Sequence, residues 1–187
     1  QETVDGIEMT FALNHLHYFL LTNLLLDVLR ASAPARVINV SSRLHRHGSL
    51  DFDDLEFRQG YGRFKAYRRS KLANVLFTYE LARRLAGTGV TANAADPGLV
   101  KTNAGSGDGL LTRLAKGMVD AIAGQTPAQG AETIVYLATS PAVNGISGKF
   151  FRRKKAIPSS DASYNEADAR RLWAVSAQMT GLDPDLL

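Results

Sequence analysis

Arg36-Val37-Ile38-Asn39-Val40 (RVINV), closed by Ser41-Ser42, decides the fold. Its apolar, β-branched residues suit a strand covered on both faces, as in a parallel sheet. Pro34 just ahead forbids helix, and the two serines end the strand. Upstream, a long amphipathic helix is expected from Val4 to Leu29, turning Phe11, Leu13, Phe19, Leu20, Leu24, Leu25 and Leu29 toward a core. Downstream, Arg43 to Phe64 is polar, with the acidic run Asp51-Phe52-Asp53-Asp54. That is long for a structureless connection, so a functional loop with some short structure of its own is expected.

A second long helix is predicted over Lys65 to Ala86, ending at Gly87. Val90 to Ala95 reads as another short strand, stopped by Asp96-Pro97-Gly98. Beyond a glycine-rich loop, Gly105 to Gly109, come a helix from Leu110 to Ile122 and another opened by Thr126-Pro127 and running to Thr139. Gly145 to Phe151 reads as a last strand and Glu166 to Met179 as a terminal helix. Helix and strand alternate throughout, which makes the fold class α/β, the pattern of half a doubly wound parallel sheet.

The chain has 187 residues, 45% of them hydrophobic, which suits one soluble globular domain with a core of its own. With no cysteine there is no disulfide framework and no thiolate zinc site. The most apolar stretch, Tyr18 to Leu29, is interrupted by Thr22, Asn23 and Asp27 and is too short to span a bilayer. Gln1, Glu2 and Asp5 do not resemble a secretory leader, so a cytoplasmic location is expected. The net charge of +4 includes one tight cluster, Arg152-Arg153-Lys154-Lys155, read as a solvated run at a strand end rather than a nucleic-acid surface. His15, His17, His45 and His47 form two i, i+2 pairs, a spacing that does not converge on a metal from a helix.

Tyr67 and Lys71 lie four residues apart on the second long helix and so share one face. An ammonium beside a phenol favours the phenolate and is expected to lower the tyrosine pKa, which suits proton exchange with an alcohol or ketone. Tyr61 and Lys65 have the same spacing, but Gly60 and Gly62 flank Tyr61 and place it in a loop. Ser42, at the C-terminal end of a parallel strand, is placed where such sheets bind ligands, and its hydroxyl would stabilise charge developing on a substrate oxygen. Ser41 is the competitor, and because alternate residues on a strand point opposite ways, at most one of the two faces the site. Asn14 is a polar amide inside a helix, where it is solvated or needs a specific partner. Gly98 permits close backbone approach to a ligand, and Thr102 lies just beyond it. Gly105 to Gly109 resembles a phosphate loop, yet Leu110 stands where the last glycine of a G-x-G-x-x-G motif belongs.

Together, Asn14, the strand ending Asn39-Val40-Ser41-Ser42, Tyr67-x-x-Ser70-Lys71 and Pro97-Gly98-x-Val100-x-Thr102 resemble a classical short-chain dehydrogenase/reductase. Asn14-His15-Leu16, Phe19-Leu20-Leu21-Thr22, Ser70-Lys71-Leu72-Ala73-Asn74 and Ser147-Gly148-Lys149-Phe150 are similar to its retinol dehydrogenase-like branch. The resemblance runs from about Asp5 to Leu182. His17-Tyr18 and Asp96 depart from that branch, which commonly has glycine-histidine and histidine at these places.

The resemblance implies an NAD(P)-dependent oxidoreductase that interconverts an alcohol and its ketone or aldehyde. Tyr67 would be the general acid/base, Lys71 would hold the nicotinamide ribose, Ser42 would polarise the carbonyl and Asn14 would hold a water relaying protons to Lys71. Pro97, Gly98, Val100 and Thr102 would meet the nicotinamide end, together with Tyr67 and Lys71. The cofactor would be NADP or NAD, with NADP favoured by the resemblance, and the substrate a fairly apolar small molecule. Residues 104–125 correspond to the variable substrate lid. The glycine-rich turn that holds the pyrophosphate in this family is not among these 187 residues, so the chain is expected to be one partial Rossmann-like domain, the C-terminal portion of the sheet. A truncated, non-catalytic binding or scaffold subunit is the alternative. A homo-oligomer is compatible with the sequence but not specified by it.

Overall fold

A computed structural model describes residues 1–100 and 125–184. Strand β1, Ala35–Val40, pairs in parallel with β2, Val90–Asp96, from Ala35 opposite Val90 to Val40 opposite Ala95. β2 pairs in parallel with β3, Phe150–Arg152, and β3 turns back antiparallel as β4, Lys155–Ile157. The sheet order is β1-β2-β3-β4, which leaves β1 at an edge. The expected strand from Gly145 becomes regular only at Phe150. Gly145 and Gly148 both have positive φ, which bends the chain out of extended geometry before β3 begins.

The first helical region is not one helix from Val4 to Leu29. α1, Met9–Phe11, starts where the buried Glu8 carboxylate accepts from the Thr10 and Phe11 amides at 2.9 and 2.7 Å. A π-helical turn, Ala12–Leu16, follows, then α2, His17–Leu24, and α3, Leu26–Ala31, separated by a break at Leu25. α4, Arg63–Arg84, lies within about a turn of its expected limits. α5, Pro127–Thr139, is opened by a capping box in which Thr126 and Gln129 satisfy each other's backbone amides. α6, Glu166–Thr180, ends at Gly181 in a left-handed cap. The expected helix Leu110–Ile122, the Gly105–Gly109 loop and all of the expected lid except Gln125 lie outside the described residues.

β2 shows why the sequence reads apolar on both sides. Ala94 and Phe150 pack under Val75 and Tyr79 of α4, while the next residues along, Ala95 and Phe151, pack on the opposite face with Leu137 of α5. Helices therefore cover both faces, the doubly wound arrangement. The α4 face is anchored by Phe19, Phe77 and Trp173, whose ring centroids lie 4.9 to 5.8 Å apart. Removing one of these rings would cost about 3–5 kcal/mol.

The polar stretch after β1 has internal structure, beginning with a 3-10 turn, Arg43–His47. Buried Arg69 of α4 clamps the rest. Its guanidinium donates to the Ser49 and Asp54 carbonyls and lies 3.5 Å from the centre of the Phe57 ring.

Candidate active site

The C-terminal end of β1 and the N-terminal half of α4 bring four of the expected residues into one neighbourhood. Ser42 ends β1 and caps the 3-10 turn, its Oγ accepting from the Leu44 amide at 3.2 Å. Ser41 points the other way, donating to the Lys71 carbonyl at 2.8 Å. Pleating thus presents one hydroxyl to the site and spends the other on tying β1 to α4. The Tyr67 phenol lies beside the Ser42 hydroxyl, close enough for it to favour the phenolate. Lys71 Nζ sits 5.6 Å from the centre of the Tyr67 ring and donates to the Val40 carbonyl at 3.2 Å. Asn14, in the π-helical turn, donates from Nδ2 to Ser70 Oγ at 3.1 Å, and Ser70 donates to the Tyr67 carbonyl at 2.8 Å.

The electrostatics correct one expectation. Burial raises the Tyr67 pKa; the neighbouring Ser42 hydroxyl works against that, while Asp96 and Tyr18 add to it. Burial also lowers Lys71 to about 8. Desolvation disfavours both charged forms and sets the direction of both shifts, while the Lys71 ammonium is directed at the Val40 carbonyl. What results is a phenol kept neutral by burial next to a hydroxyl, beside an amine that loses its charge only a little above neutral pH.

Below this group lies a polar layer that the sequence reading missed. Asn74 donates to the same Val40 carbonyl at 3.2 Å, and its Oδ1 lies 3.3 Å from His15 Nδ1. His15 Nε2 lies 2.9 Å from Ser176 Oγ. An amide oxygen only accepts, so the network assigns the proton to Nδ1 and leaves Nε2 to accept from the serine. His15 is fully buried, and burial takes its pKa down to about 4 despite the Asn74 bond. His45 is equally enclosed: its Nδ1 lies 2.7 Å from the Ser42 carbonyl and its Nε2 accepts from the Ser160 amide at 3.0 Å. Burial lowers its pKa as well. His45 therefore fixes the backbone of Ser42 against the turn after β4. The four-residue spacing of Phe11, His15 and Phe19 was the available signal for His15, since it puts the imidazole on the buried stripe.

Of the residues expected at the cofactor, Pro97 and Gly98 follow β2 directly. Gly98 has φ +81, its amide donates to Asp96 Oδ1 at 3.0 Å, and a Cβ there would stand 2.8 Å from Gln125 Oε1. Val100 bridges to Gln125 and presses on Gly130, where a Cβ would come within 2.3 Å of it. Thr102 lies outside the described residues. Tyr61 is exposed and precedes α4, so Tyr61 and Lys65 do not share a helix face. A cavity of about 600 Å³ opens on Ser42, Asp96, Gly98 and Arg153. A second, of about 380 Å³, lies between Gly98, Thr133 and Arg153.

A hydroxyl at the C-terminal end of a parallel strand thus stands beside a phenol and a buried amine of α4, at the end of a Rossmann-like sheet where such folds bind ligands. The chain belongs to the short chain dehydrogenase family, whose profile matches residues 1–108. It is 48% identical over 183 residues to retinol dehydrogenase 14 of Homo sapiens, covering 97% of this chain and 54% of that protein. It is 43% identical over 188 residues to the polyprenol dehydrogenase of Homo sapiens, covering 97% of this chain and 57% of that one. Among solved structures, an uncharacterized protein from Mycobacterium paratuberculosis is similar at 34% identity and a TM-score of 0.73, over 97% of this chain and 62% of that one. The chain thus spans little more than half the length of these curated relatives.

Proposed function

We propose that this chain carries the proton-transfer half of an NAD(P)-dependent oxidoreductase that interconverts an alcohol and its aldehyde or ketone. The observation that carries this reading is the placement of the Tyr67 phenol beside the Ser42 hydroxyl, with Lys71 Nζ 5.6 Å from the centre of the phenol ring. Ser42 would donate to the substrate oxygen and stabilise charge on it. Tyr67 would give its proton to that oxygen in reduction and take it back in oxidation. Lys71, with one of three N–H groups committed to Val40, has two left for the hydroxyls of a ribose. These features fit the nicotinamide end of NADP or NAD, which would supply or accept the hydride. Two of the relatives are named for retinol and polyprenol, which supports an apolar alcohol as substrate.

Tyr67→Phe should lower turnover of such an alcohol by about 10²–10⁴-fold, followed by nicotinamide absorbance, with cofactor affinity largely kept. Wild-type rates in this variant would refute the assignment, and an equal loss from Tyr61→Phe alone would move it to the other pair. A binding or scaffold role is the second reading. It is favoured by the sheet edge at β1 and by Leu13, Leu24 and Val28, which are exposed along the first helical region. Saturable micromolar binding of NADPH or NADH to the 187-residue chain would argue against it.

A further inference from the structure

The cavity beside Ser42 carries more positive charge than its own residues neutralise. Arg43, Arg46, Arg152 and Arg153 line it, and Asp96 is the carboxylate among them. Asp96 is 3% exposed and engages Arg152, whose Nε lies 3.3 Å from Oδ2 without the alignment of a hydrogen bond, so both buried atoms lack a hydrogen-bond partner. Arg46 donates to the Pro158 carbonyl. Arg43 and Arg153 make no ion pair or hydrogen bond among the described residues.

The position of Arg153 is itself unusual. Arg153 and Lys154 form the two-residue turn between β3 and β4, with φ of 49 and 62. Such turns are ordinarily made from Asn and Gly, because other residues are strained at positive φ. Lys154 is held by Glu132 at 2.8 Å, whereas Arg153 lines both cavities and is paired with nothing described. The chain therefore keeps a strained turn that projects a guanidinium with no described partner into the cavity that Ser42 lines.

We propose that this chamber binds the anionic end of an amphiphilic substrate, a carboxylate or phosphate, with Arg43 and Arg153 as its primary contacts. Guanidinium forks match both oxyanions with paired hydrogen bonds. Exposed Leu44 and Leu99 at the same cavity offer apolar contact to the stem that joins this end to the alcohol or carbonyl at Ser42. The volume of about 600 Å³ suits a small molecule of this kind. The proposal rests on the oxidoreductase reading for the identity of the reacting end, but the anion subsite is testable without turnover.

Calorimetric titration of the 187-residue chain with hexanoate, inorganic phosphate and the neutral control hexanol tests it. Hexanoate or phosphate should bind more tightly than hexanol, the stronger of the two identifying the source of the oxyanion. Arg43→Ser with Arg153→Ser should weaken that binding by about tenfold or more. Arg153→Gly, which suits the turn, provides a folded comparison should the double variant unfold. Unchanged anion affinity in a folded variant, or equal binding of hexanoate and hexanol, would overturn the proposal. So would tighter, steeply salt-dependent binding of duplex DNA through the same arginines, which would make them a polyanion surface. Arginine-dependent anion binding in a chain that transfers no hydride would uphold the subsite and sink the oxidoreductase reading. Turnover of neutral alcohols without anion binding would do the reverse.

Discussion

Two polar clusters flank the Tyr67–Ser42 pair, and they are built on opposite terms. Below it, His15, Asn74 and Ser176 are buried, and hydrogen bonds run from Ser176 through His15 and Asn74 to the Val40 carbonyl. Above it, Arg43 and Arg153 face a cavity with no described partner, and Arg153 occupies a strained turn. A buried polar group satisfied by its neighbours rigidifies what it touches, whereas charge left open to a cavity is available to a ligand. The lower cluster fixes where the phenol and hydroxyl stand. The upper one bears on what they would act upon.

The largest expected effect strikes the lower cluster. His15→Ala should cost about 2–4 kcal/mol, measured by urea unfolding, because it leaves a cavity and strands the Asn74 and Ser176 groups. A loss below about 0.5 kcal/mol would show that these groups find other partners and would erase the contrast. Acid tests the same cluster. His15 is held neutral, its pKa taken from 6.5 to about 4, so the unfolded chain binds the proton first as pH falls. Stability from this group is therefore full above about pH 6.5 and declines toward pH 4, by roughly 3 kcal/mol at most. Unfolding curves collected across that window should show the decline in the wild type and a smaller one in His15→Ala. The smallest effect has the opposite sign. Arg153→Gly should stabilise the fold by about 1 kcal/mol by relieving the left-handed strain. A destabilised glycine variant would mean that Arg153 serves the fold, and the two clusters would no longer differ in kind.

The fold was legible wherever one residue type answered to one constraint. RVINV marked β1 because apolar β-branched residues suit a strand, although at the sheet edge Asn39 is its one fully buried residue, and Thr126-Pro127 marked the start of α5 to the residue. It was less legible where tertiary contacts set the limits. Val4 to Glu8 carries a helical pattern but is held by a bridge between Glu2 and Glu8 and by the Glu8 cap, so helix begins at Met9. The last strand was misjudged in length because two glycines bend the chain before Phe150, and its return as β4 was not foreseen. At the site, spacing and element ends picked out Tyr67, Lys71 and Ser42, and the structure brings them together. The direction of the tyrosine pKa is not legible from spacing, which reports proximity but not how much water burial removes. The packing roles of His15 and His45 are not legible in the sequence, because their buried partners, Ser176 and Ser160, lie more than a hundred residues away.

The π-helical turn at Ala12–Leu16 has a consequence for the phase of its helix. Phe11, His15, Phe19 and Asn23 recur every four residues and are all buried. In a straight α-helix that spacing slips by about 40° at each step, enough to carry the fourth residue well off the first one's face. The wider turn gives back part of that slip, so a period-four sequence keeps facing α4 and α6. Asn14 meets Ser70 from inside the same turn. The length of the chain between Phe11 and Phe19 thus works as a phase setting: one residue fewer would rotate the amide away from Ser70 and the imidazole away from Asn74 together.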